Sequence, residues 1–411
     1  MSEWRQATVG EVATRVTKGT TPTTVGGRFS ESGISFVKVE AILDGRIDAN
    51  KLAYIDEATH ALLARSVLQA SDVLFTIAGS IGRLALVSES LLPANANQAV
   101  AIIRPDATRI DPRFLCYALS DEARIRHAQA RIVQSVQANF SLTELRSMPI
   151  PHPPLPEQRR IAKVLGALDD KIEHSRLLSD RCEALADTSL DQLLDSADRG
   201  RCPLGEIARP HKASIAPRDL PNDWFEHFSI PAFDAGRTPT VERGAAMLSA
   251  KTRLPSGDVV LVSKLNPATP RIWWPRPTGE HSAVCSPEFI ALVPQDGCPA
   301  SFLYASFRRD RMFYDEILSH ATGTTGSRQR VKPTEVMASH VLDARERWEG
   351  FDEVARPLYD KAAATIAESR RLATIRDLLL PKLISGEIRV PDSYDPDDAL
   401  GTVAQAAGNA A

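Results

Sequence analysis

Apolar and polar positions follow one another along this chain in an order that is written twice. The segment Val9–Ala13 (VGEVA) is matched by Leu204–Ala208 (LGEIA). Further on, Ser71–Phe75 (SDVLF) is matched by Gly257–Leu261 (GDVVL), where an acidic turn residue precedes an apolar run that predicts a strand. The two copies therefore begin with similar elements in the same order.

Three more matches continue the series. Each copy has an apolar run ended by a proline, which predicts a buried strand, then a proline suited to the first turn of a helix, then a short segment leading to another strand. The matched pairs are Ala99–Pro105 with Glu288–Pro294, Asp111–Tyr117 with Cys298–Tyr304, and Leu142–Ile150 with Pro333–Val341. Five matches in one order predict an internal duplication.

Each copy then runs into a long amphipathic stripe that predicts a helix. The first stripe begins at Pro156, which suits a helix start, and Pro357 should kink or begin the second helix. The apolar positions of the first stripe are Ile161, Leu165, Leu168 and Ile172, continuing less regularly through Cys182 and Leu185. Those of the second stripe are Val354, Leu358, Thr365, Leu372, Ile375 and Leu379.

The length of these stripes predicts how the helices pack. If residues 156–194 form one helix, 39 residues rising 1.5 Å each span about 58 Å, more than a typical domain diameter. A lone stripe favours packing against its own domain. Two similar stripes in one chain favour antiparallel pairing of the two helices, because each helix then covers the apolar seam of the other.

These elements predict an α+β fold in which two mixed α/β domains are joined by two long antiparallel helices acting as a coiled-coil spacer, with an internal pseudo-twofold repeat. A loose tail should follow the second helix, because the sequence from Asp392 onward is acidic and then rich in alanine and glycine. The predicted boundaries are 1–152 for the first domain, 153–198 for the first helix, 199–346 for the second domain, 347–390 for the second helix and 391–411 for the tail.

Composition restricts the class of protein. The 411 residues are 43% hydrophobic and 25% charged, as in a soluble globular protein of more than one domain, and the formal net charge is −3. The five cysteines are scattered without a paired motif, which predicts reduced, partly buried thiols. No stretch resembles a membrane span or a leader sequence, so we expect a cytoplasmic protein without a membrane contact.

A search for catalytic motifs predicts no catalytic residue and no metal ligand. The glycines of Gly79–Gly82 and Gly323–Gly326 lack the lysine and the spacing of a phosphate-binding loop and are typical of turns. Asp169-Asp170-Lys171 resembles half of a nuclease cluster, but its place on the striped helix favours a solvated charged face. A large chain without a site is expected to be a binding protein or a scaffold.

Basic and amide side chains gather in segments that also carry turn residues, which predicts a nucleic-acid surface. Arginine, asparagine and glutamine can form bidentate hydrogen bonds to base edges, and lysine can contact phosphates. In the second copy the candidates are Arg237, Lys264, Asn266, Arg271, Arg276, Arg328, Gln329, Arg330 and Lys332. In the first copy they are Lys18, Arg28, Lys38, Ser80, Arg83, Gln134, Gln137 and Asn139. Corresponding loops with different residues suggest two surfaces with different targets.

The segments around the helices carry a family resemblance. Pro151–Gln158 (PHPPLPEQ), with Ile161-Ala162 and Leu168-Asp169 behind it, resembles the first central region of type I restriction-modification specificity subunits. Arg376–Ile388 (RDLLLPKLISGEI) resembles the segment that ends the second helix in that family, and Val262–Pro267 (VSKLNP) a run in some of its target-recognition domains.

The resemblance implies two target-recognition domains, each reading one half of a split sequence in double-stranded DNA. It implies that the helices set the gap between the half-sites and dock two methyltransferase subunits, and that motor-nuclease subunits complete the enzyme. This chain would then hold no cofactor of its own, since S-adenosylmethionine, ATP and Mg²⁺ are expected on the partner subunits.

One departure and two alternatives stay open. The second copy has Arg345–Glu349 (RERWE) where the first has Pro-Leu-Pro-Glu-Gln, so the two methyltransferase docking surfaces are expected to differ. A scaffold whose basic loops are incidental would not bind DNA. A self-sufficient methyltransferase would have to bind S-adenosylmethionine as an isolated chain, which we do not expect.

Overall fold

The computed structural model describes residues 4–43, 45–121, 124–126, 140–195, 200–322 and 329–391. The chain divides into two compact units, which are Met1–Glu173 with Arg370–Ala411, and His174–Ser369. Each unit contains one α/β domain and a part of each of two long helices, Leu155–Asp195 and Trp348–Ser385. Each unit is described below by itself.

The α/β domain of the first unit combines short helices with strands. Its α-helices are Val9–Val12, Glu57–Leu62, Pro112–Ser120 and Leu142–Ser147, and its 3-10 turns are Pro22–Val25, Val39–Ala41, Ala49–Lys51, Ala64–Ser66 and Glu89–Leu91. Its strands are Gln6–Thr8, Ala13–Lys18, Phe29–Ser30, Ile34–Val37, Ile42–Leu43, Arg46–Ile47, Ala53–Ile55, Val73–Thr76, Leu84–Leu86, Ala94–Ala96, Val100–Pro105 and Pro149–Pro151.

The α/β domain of the second unit has a similar set of elements. Its α-helices are Ile230–Asp234, Ala300–Arg309, Arg311–Ser319 and Pro333–Ala338, and its 3-10 turns are Leu204–Glu206, Pro217–Asp219, Gly244–Ala246 and Arg345–Arg347. Its strands are Arg201–Pro203, Ala208–His211, Ser214–Ile215, Trp224–Phe228, Thr240–Arg243, Lys251–Arg253, Val260–Ser263, Ile272–Trp273, Ser282–Cys285, Phe289–Pro294 and His340–Leu342.

One four-stranded antiparallel sheet has the same strand order in both units, and we call it the repeated sheet. In the first unit the order is Ala13–Lys18, Val100–Pro105, Val73–Thr76 and Leu84–Leu86. In the second unit it is Ala208–His211, Phe289–Pro294, Val260–Ser263 and Ile272–Trp273. The duplication predicted from the sequence is confirmed in the fold.

A second sheet lies beside the repeated sheet in each unit and contains one parallel pair. In the first unit Ile34–Val37 pairs in parallel with Ala94–Ala96, and in the second Trp224–Phe228 pairs in parallel with Ser282–Cys285. The ends of each domain are also closed in the same way, by a two-stranded antiparallel pair. Both layers of the α/β domain are therefore duplicated.

The repeated sheets form because their central strands are apolar on both faces. Val73, Leu74 and Phe75 are fully buried, and Val260 and Leu261 are their counterparts in the second unit. The long apolar runs predicted as buried strands are confirmed, since strands covered on both sides lose the alternation of polar and apolar residues. All five cysteines are free and buried, as the sequence indicated.

The first long helix has 41 residues and follows the predicted stripe over its first half. Ile161 and Leu165 are fully buried in the core of the first unit. In the second unit the buried positions are Ala186 and Leu190, whereas Leu185 is 60% exposed. The predicted place of Leu185 in the stripe is wrong, because the small side chain next to it faces the core.

The second long helix begins at Trp348, so Pro357 lies inside the helix and does not begin it. Its buried face in the second unit includes Phe351, Ala355 and Tyr359, while Val354 is 53% exposed. The predicted stripe is therefore displaced by one position at Val354 and Leu358, whereas Thr365 is buried as predicted and Leu379 packs against the core of the first unit.

The two long helices pair in antiparallel fashion within the second unit, as predicted. The Ser179 hydroxyl donates to the main-chain oxygen of Ala362 (3.2 Å), and the hydroxyl of Tyr359 donates to Asp187 (2.6 Å). Positions that increase along one helix thus meet positions that decrease along the other. This packing gives the α/β domain of the second unit a base of two paired helices.

Candidate nucleic-acid interface

A loop and a distant segment are joined by main-chain hydrogen bonds in the first unit. Ile77 follows the third strand of the repeated sheet, and its N–H donates to the oxygen of Ala99 (2.8 Å). The N–H of Phe140, which precedes the helix Leu142–Ser147, donates to the oxygen of Ile77 (2.9 Å). Two segments about 60 residues apart in sequence are thereby held side by side.

The same two bonds recur in the second unit. Lys264 follows the corresponding strand, and its N–H donates to the oxygen of Glu288 (2.8 Å). The N–H of Val331, just before the helix Pro333–Ala338, donates to the oxygen of Lys264 (3.1 Å). The predicted basic loops of each copy therefore start from equivalent places in a duplicated frame.

A buried hydroxyl orders the start of each loop. Thr76 donates to the main-chain oxygen of Ser80 (2.6 Å) and accepts from the N–H of Arg83 (2.8 Å). Ser263 occupies the equivalent position, donating to the main-chain oxygen of Leu265 (2.9 Å) and accepting from its N–H (3.1 Å). Because both hydroxyl groups use donor and acceptor capacity locally, the loops are held in shape before any ligand arrives.

The structure brings together predicted residues from two segments of the second unit. The N–H of Asn266 donates to the oxygen of Gln329 (2.8 Å), which places Lys264 and Asn266 beside Gln329 and Arg330. Arg330 is itself paired through both main-chain groups with Thr322 (2.9 Å each). We call Lys264, Asn266, Gln329, Arg330 and Lys332 the loop cluster.

The charges of the loop cluster lie near solvent and near acidic neighbours. Arg330 is exposed and donates to both oxygens of Glu288 (3.2 and 3.1 Å), and these hydrogen bonds raise the pKa of Arg330. Lys332 is also exposed, with its ammonium nitrogen 3.8 Å from Glu335. Such surface pairs are weak, so a phosphate can replace the carboxylate as the partner.

Two predicted residues, Arg83 and Arg271, lie at the base of the loops. The guanidinium of Arg83 donates to the main-chain oxygens of Val39 (3.5 Å) and Ile42 (3.4 Å). That of Arg271 donates to both carboxylate oxygens of Asp234 (2.7 and 3.0 Å). Both side chains thus contact segments that follow a strand of the second sheet.

Arg237 and Arg276 are not brought to the loop cluster. Arg237 donates to Glu183 on the first long helix (2.6 Å), and Arg276 to Asp360 on the second (2.6 and 3.1 Å) while lying 3.6 Å over the Trp274 ring. They attach the second α/β domain to the helices. That either contacts DNA stays a prediction.

The candidates of the first unit are more dispersed. Lys18 is exposed at the end of its strand, and Arg28 is exposed beside Asp56 (3.2 Å). The ammonium of Lys38 lies 4.5 Å over the ring of Phe29. Ser80 is exposed in the loop that Thr76 orders. Gln134, Gln137, Asn139 and Arg328 lie outside the described residues.

A hydrogen-bonded group that sequence reasoning missed joins the first α/β domain to the helices. The Tyr117 hydroxyl donates to Asp169 (2.5 Å), and Arg376 donates to the same carboxylate (2.8 Å). Asp169 was expected on a solvated charged face, and that interpretation is wrong. Burial, followed by the charge of Asp169, raises the pKa of Tyr117 far above its ordinary value.

The second unit has a larger group at the corresponding place. Arg308 donates to Asp187 (2.9 Å) and to the hydroxyl of Tyr304 (3.2 Å), and Tyr359 donates to Asp187 (2.6 Å). Burial would lower the pKa of Arg308, but the surrounding Tyr304, Asp187 and Glu183 raise it. Tyr117 and Tyr304 end two segments that match in sequence. That match could have indicated that the two tyrosines have equivalent roles.

Comparison with known families decides what this duplicated frame belongs to. Residues 1–179 match the family model described as the type I restriction modification DNA specificity domain. The first α/β domain, with part of the first long helix, is thus similar to the DNA specificity domain of type I restriction-modification systems. The resemblance drawn from the sequence is confirmed for Pro151–Gln158, which lies within the matched residues, whereas Arg376–Ile388 lies outside them.

Two curated relatives match part of the chain. A Methanocaldococcus jannaschii protein assigned as the MjaX type I restriction enzyme specificity subunit is 30% identical over 146 residues, covering 34% of this chain and 34% of that protein. The EcoBI specificity subunit of Escherichia coli is 33% identical over 150 residues, covering 35% of this chain and 31% of that protein. The matched part is about a third of the length of these relatives.

The fold beyond the specificity domain is shared with a solved structure. The S subunit of a type I restriction-modification system from M. genitalium matches with a TM-score of 0.60 over 95% of this chain and 97% of that chain. At 16% sequence identity the likeness establishes the fold alone. It confirms the predicted architecture of two α/β domains and two long helices.

Two other features bear on the class of site. Within the described residues, no helix combines the length and apolar character that a membrane span requires. The described residues also do not gather three or more His, Cys, Asp or Glu side chains into a group that could hold a metal ion.

Proposed function

We propose that this chain is the DNA sequence-recognition subunit of a type I restriction-modification enzyme. Each α/β domain would read one half of a bipartite target in double-stranded DNA. The observation that carries the proposal is the duplicated frame at Ile77 and Lys264, where the same main-chain bonds present loops with different polar side chains. Two domains with the same main-chain hydrogen bonds and different loop side chains suit a protein that reads two different half-sites.

The chemistry of the loops supports direct reading of bases. The loop cluster places an amide at Asn266, another at Gln329 and a guanidinium at Arg330 within one small surface. Amide side chains pair bidentately with adenine and guanidinium groups with guanine, while Lys264 and Lys332 suit phosphates. The net charge of −3 is no obstacle, because a local basic patch is sufficient for binding.

We further propose that the long helices set the gap between the half-sites and dock two methyltransferase subunits, with motor-nuclease subunits completing the assembly in the cytoplasm. Exposed apolar side chains on the helices support a docking role. Leu177 and Leu185 on the first helix are 48% and 60% exposed, and Leu378 on the second is 63% exposed. In this proposal the methyltransferase subunits cover these leucines.

The chain would have no catalytic site and no cofactor of its own in this proposal. S-adenosylmethionine, ATP and Mg²⁺ would be held by the methyltransferase and motor-nuclease subunits. This part rests on the family resemblance and on the sequence search, in which no phosphate loop or methyl-transfer motif was convincing.

Methylation mapping tests the proposal. The chain is co-expressed with its methyltransferase partner in a host that lacks other adenine methylation, and the modified bases are mapped across genomic DNA. We expect two short defined sequences separated by a fixed number of unspecified bases. A continuous target would contradict the reading by two domains, and no methylation dependent on this chain would contradict the recognition role itself.

A further inference from the structure

One arginine occupies the same position in both repeated sheets, immediately before the fourth strand. Its main-chain oxygen accepts a hydrogen bond from the last residue of the third strand in each unit. The N–H of Thr76 donates to Arg83 (2.9 Å), and the N–H of Ser263 donates to Arg271 (3.1 Å). These matching main-chain bonds make Arg83 and Arg271 structural equivalents.

In the first unit the side chain of Arg83 reaches the second sheet's layer. Its guanidinium donates to the main-chain oxygens of Val39 (3.5 Å) and Ile42 (3.4 Å). These residues lie at the beginning and end of the 3-10 turn Val39–Ala41, which follows the strand Ile34–Val37. The arginine therefore ties the end of its loop to that turn.

In the second unit the side chain of Arg271 reaches the same layer through a different acceptor. Its Nε and Nη2 groups donate to the two carboxylate oxygens of Asp234 (2.7 and 3.0 Å), and these hydrogen bonds raise the pKa of Arg271. Asp234 ends the helix Ile230–Asp234, which follows the strand Trp224–Phe228. The Arg271 side chain is only 14% exposed, although it carries a charge.

The two turns that receive the arginines are also equivalent. Each follows the strand of the second sheet that pairs in parallel with a neighbour, Ile34–Val37 with Ala94–Ala96 and Trp224–Phe228 with Ser282–Cys285. Both copies therefore have an arginine at this position, and in both the arginine contacts the equivalent turn. The acceptors differ, since they are two carbonyl oxygens in the first unit and a carboxylate in the second. Contact with equivalent turns indicates that the two arginines have the same structural role.

We propose that Arg83 and Arg271 are positioning residues that hold the far end of each reading loop against the second sheet, and that neither contacts a DNA base. The inference rests on the proposed function and corrects the role assigned to both arginines from sequence. The loops begin at the hydroxyls of Thr76 and Ser263 and end at these arginines, so both ends are held. In this proposal bases are read by side chains between Thr76 and Arg83 and between Ser263 and Arg271, together with side chains of the segments that precede the helices Leu142–Ser147 and Pro333–Ala338.

Substitution of Asp234, the partner of Arg271, gives a direct test. The positioning role and the base-reading role predict opposite changes in DNA affinity. In the Asp234→Ala variant the guanidinium loses its partner and the surface loses a negative charge. A DNA-reading arginine would then bind DNA more tightly, because it is released and repulsion of phosphates falls. A positioning arginine would bind DNA more weakly, by about tenfold, because a charge-assisted pair that orders the loop is lost.

The full chain with its methyltransferase partner is titrated with a bipartite duplex at several salt concentrations. We expect Asp234→Ala and Arg271→Ala to weaken binding equally, with an unchanged salt slope and relaxed methylation at one half-site only. Arg83→Ala should relax the other half-site. The charge-swapped double variant Asp234→Arg with Arg271→Asp should restore most of the affinity. Tighter binding by Asp234→Ala would overturn the proposal.

A pair elsewhere in the same unit serves as the matched control. Arg309 also donates two hydrogen bonds to one carboxylate, that of Asp191 (3.0 and 2.6 Å), but lies outside the loops. Arg309→Ala should leave DNA affinity and methylation specificity unchanged. If it matches Arg271→Ala in these readouts, the effect of Arg271 is a general loss of stability and the positioning role is rejected.

Hydrogen exchange of the free protein separates this proposal from the proposed function. In Arg271→Ala the amides of Ser263, Leu265 and Asn266 should exchange about tenfold faster, while those of Leu261 and Val262 in the strand stay protected. Unchanged exchange would overturn the positioning role whatever the DNA result. A wild-type chain that binds no bipartite duplex would instead contradict the proposed function, and the exchange result would still be informative.

Discussion

Tyr359 and Asp187 lie on different long helices, and the hydroxyl of one donates to the buried carboxylate of the other over 2.6 Å. Arg308 of the second α/β domain donates to the same carboxylate (2.9 Å). One aspartate thus connects both helices and the domain. The side chain of Asp187 is 10% exposed, so neither the ion pair nor the hydrogen bond is strongly screened by water.

The Asp187→Ala variant should therefore lose about 2–4 kcal/mol of unfolding free energy, because Tyr359 loses its acceptor and Arg308 keeps only Tyr304 and Glu183 as partners. Denaturant unfolding of the second unit measures the loss. Asp191→Ala, one turn along the same helix, is the control: its pair with Arg309 is more exposed, so the loss should stay below about 1 kcal/mol. Equal losses of unfolding free energy in the two variants would show that the buried group around Asp187 stabilises the protein no more than the exposed pair does.

Two glycines of the second long helix region should respond to alanine with opposite signs. Gly386 has φ +78° just after the helix, and an added Cβ would lie 2.9 Å from the Trp4 ring. Gly386→Ala should destabilise the first unit by more than about 1 kcal/mol. Gly350 lies inside the helix with open space around it, so Gly350→Ala should stabilise by about 0.5–1 kcal/mol. Thermal unfolding distinguishes the two, and a shared sign would refute the explanation.

The buried thiols should be unreactive in the folded protein. Burial raises the pKa of Cys116 and of Cys285 to about 12 in each case, so the reactive thiolate is scarce at pH 8. Iodoacetamide followed by mass spectrometry should modify neither cysteine in the native chain and both in denaturant. Rapid modification of either thiol under native conditions would contradict its burial.

The same pKa shifts predict how stability depends on pH. The thiols of Cys116 and Cys285 are held neutral in the fold, so their contribution to stability is complete below the ordinary thiol pKa. It should be lost between that value and about 12, where the unfolded chain releases protons that the folded chain retains. Unfolding between pH 8 and 10.5 measures this, and the double variant Cys116→Ala with Cys285→Ala should have a shallower decline.

A lysine of the loop cluster should contribute mainly through phosphate contact. Lys332→Ala should weaken binding of the full chain to DNA of any sequence and lower the slope of log affinity against log salt by about one. Arg276→Ala should keep the slope, since Arg276 pairs with Asp360 and stacks on Trp274. A change of slope in the Arg276 variant alone would reverse the assignment of these two cations.

The strands and the duplication could be predicted because local patterns carry them. Apolar runs such as Val73–Phe75, bounded by turn residues, indicate buried strands without knowledge of their partners. The long helices could be predicted in extent, and the buried face of the first helix could be predicted over its first half but not beyond it. Leu185 and Val354 are apolar and exposed, whereas the smaller Ala186 and Ala355 are buried, because the core of the second unit covers the neighbouring position on each helix.

The candidate interface could be predicted in composition and not in geometry. Nothing near Asn266 in sequence indicates that Gln329 lies beside it, because that contact depends on sheet pairing across 60 residues. Likewise, the sequence shows that Arg83 and Arg271 are basic residues in loops. Only the structure shows their acceptors, at Val39, Ile42 and Asp234, which lie in the second sheet's layer of each domain.

The hydrogen bonds that join each reading loop to its neighbouring segments at Ile77 and Lys264 involve main-chain atoms only. The position occupied by Ile77 in one unit is occupied by Lys264 in the other, and the donors Phe140 and Val331 are equally unlike, yet the hydrogen bonds are the same. These hydrogen bonds therefore do not depend on which side chains stand at the two ends of the loops. Under the proposed function, a chain built in this way can acquire a new DNA target by a few substitutions in the loops of one copy while the other copy keeps its own.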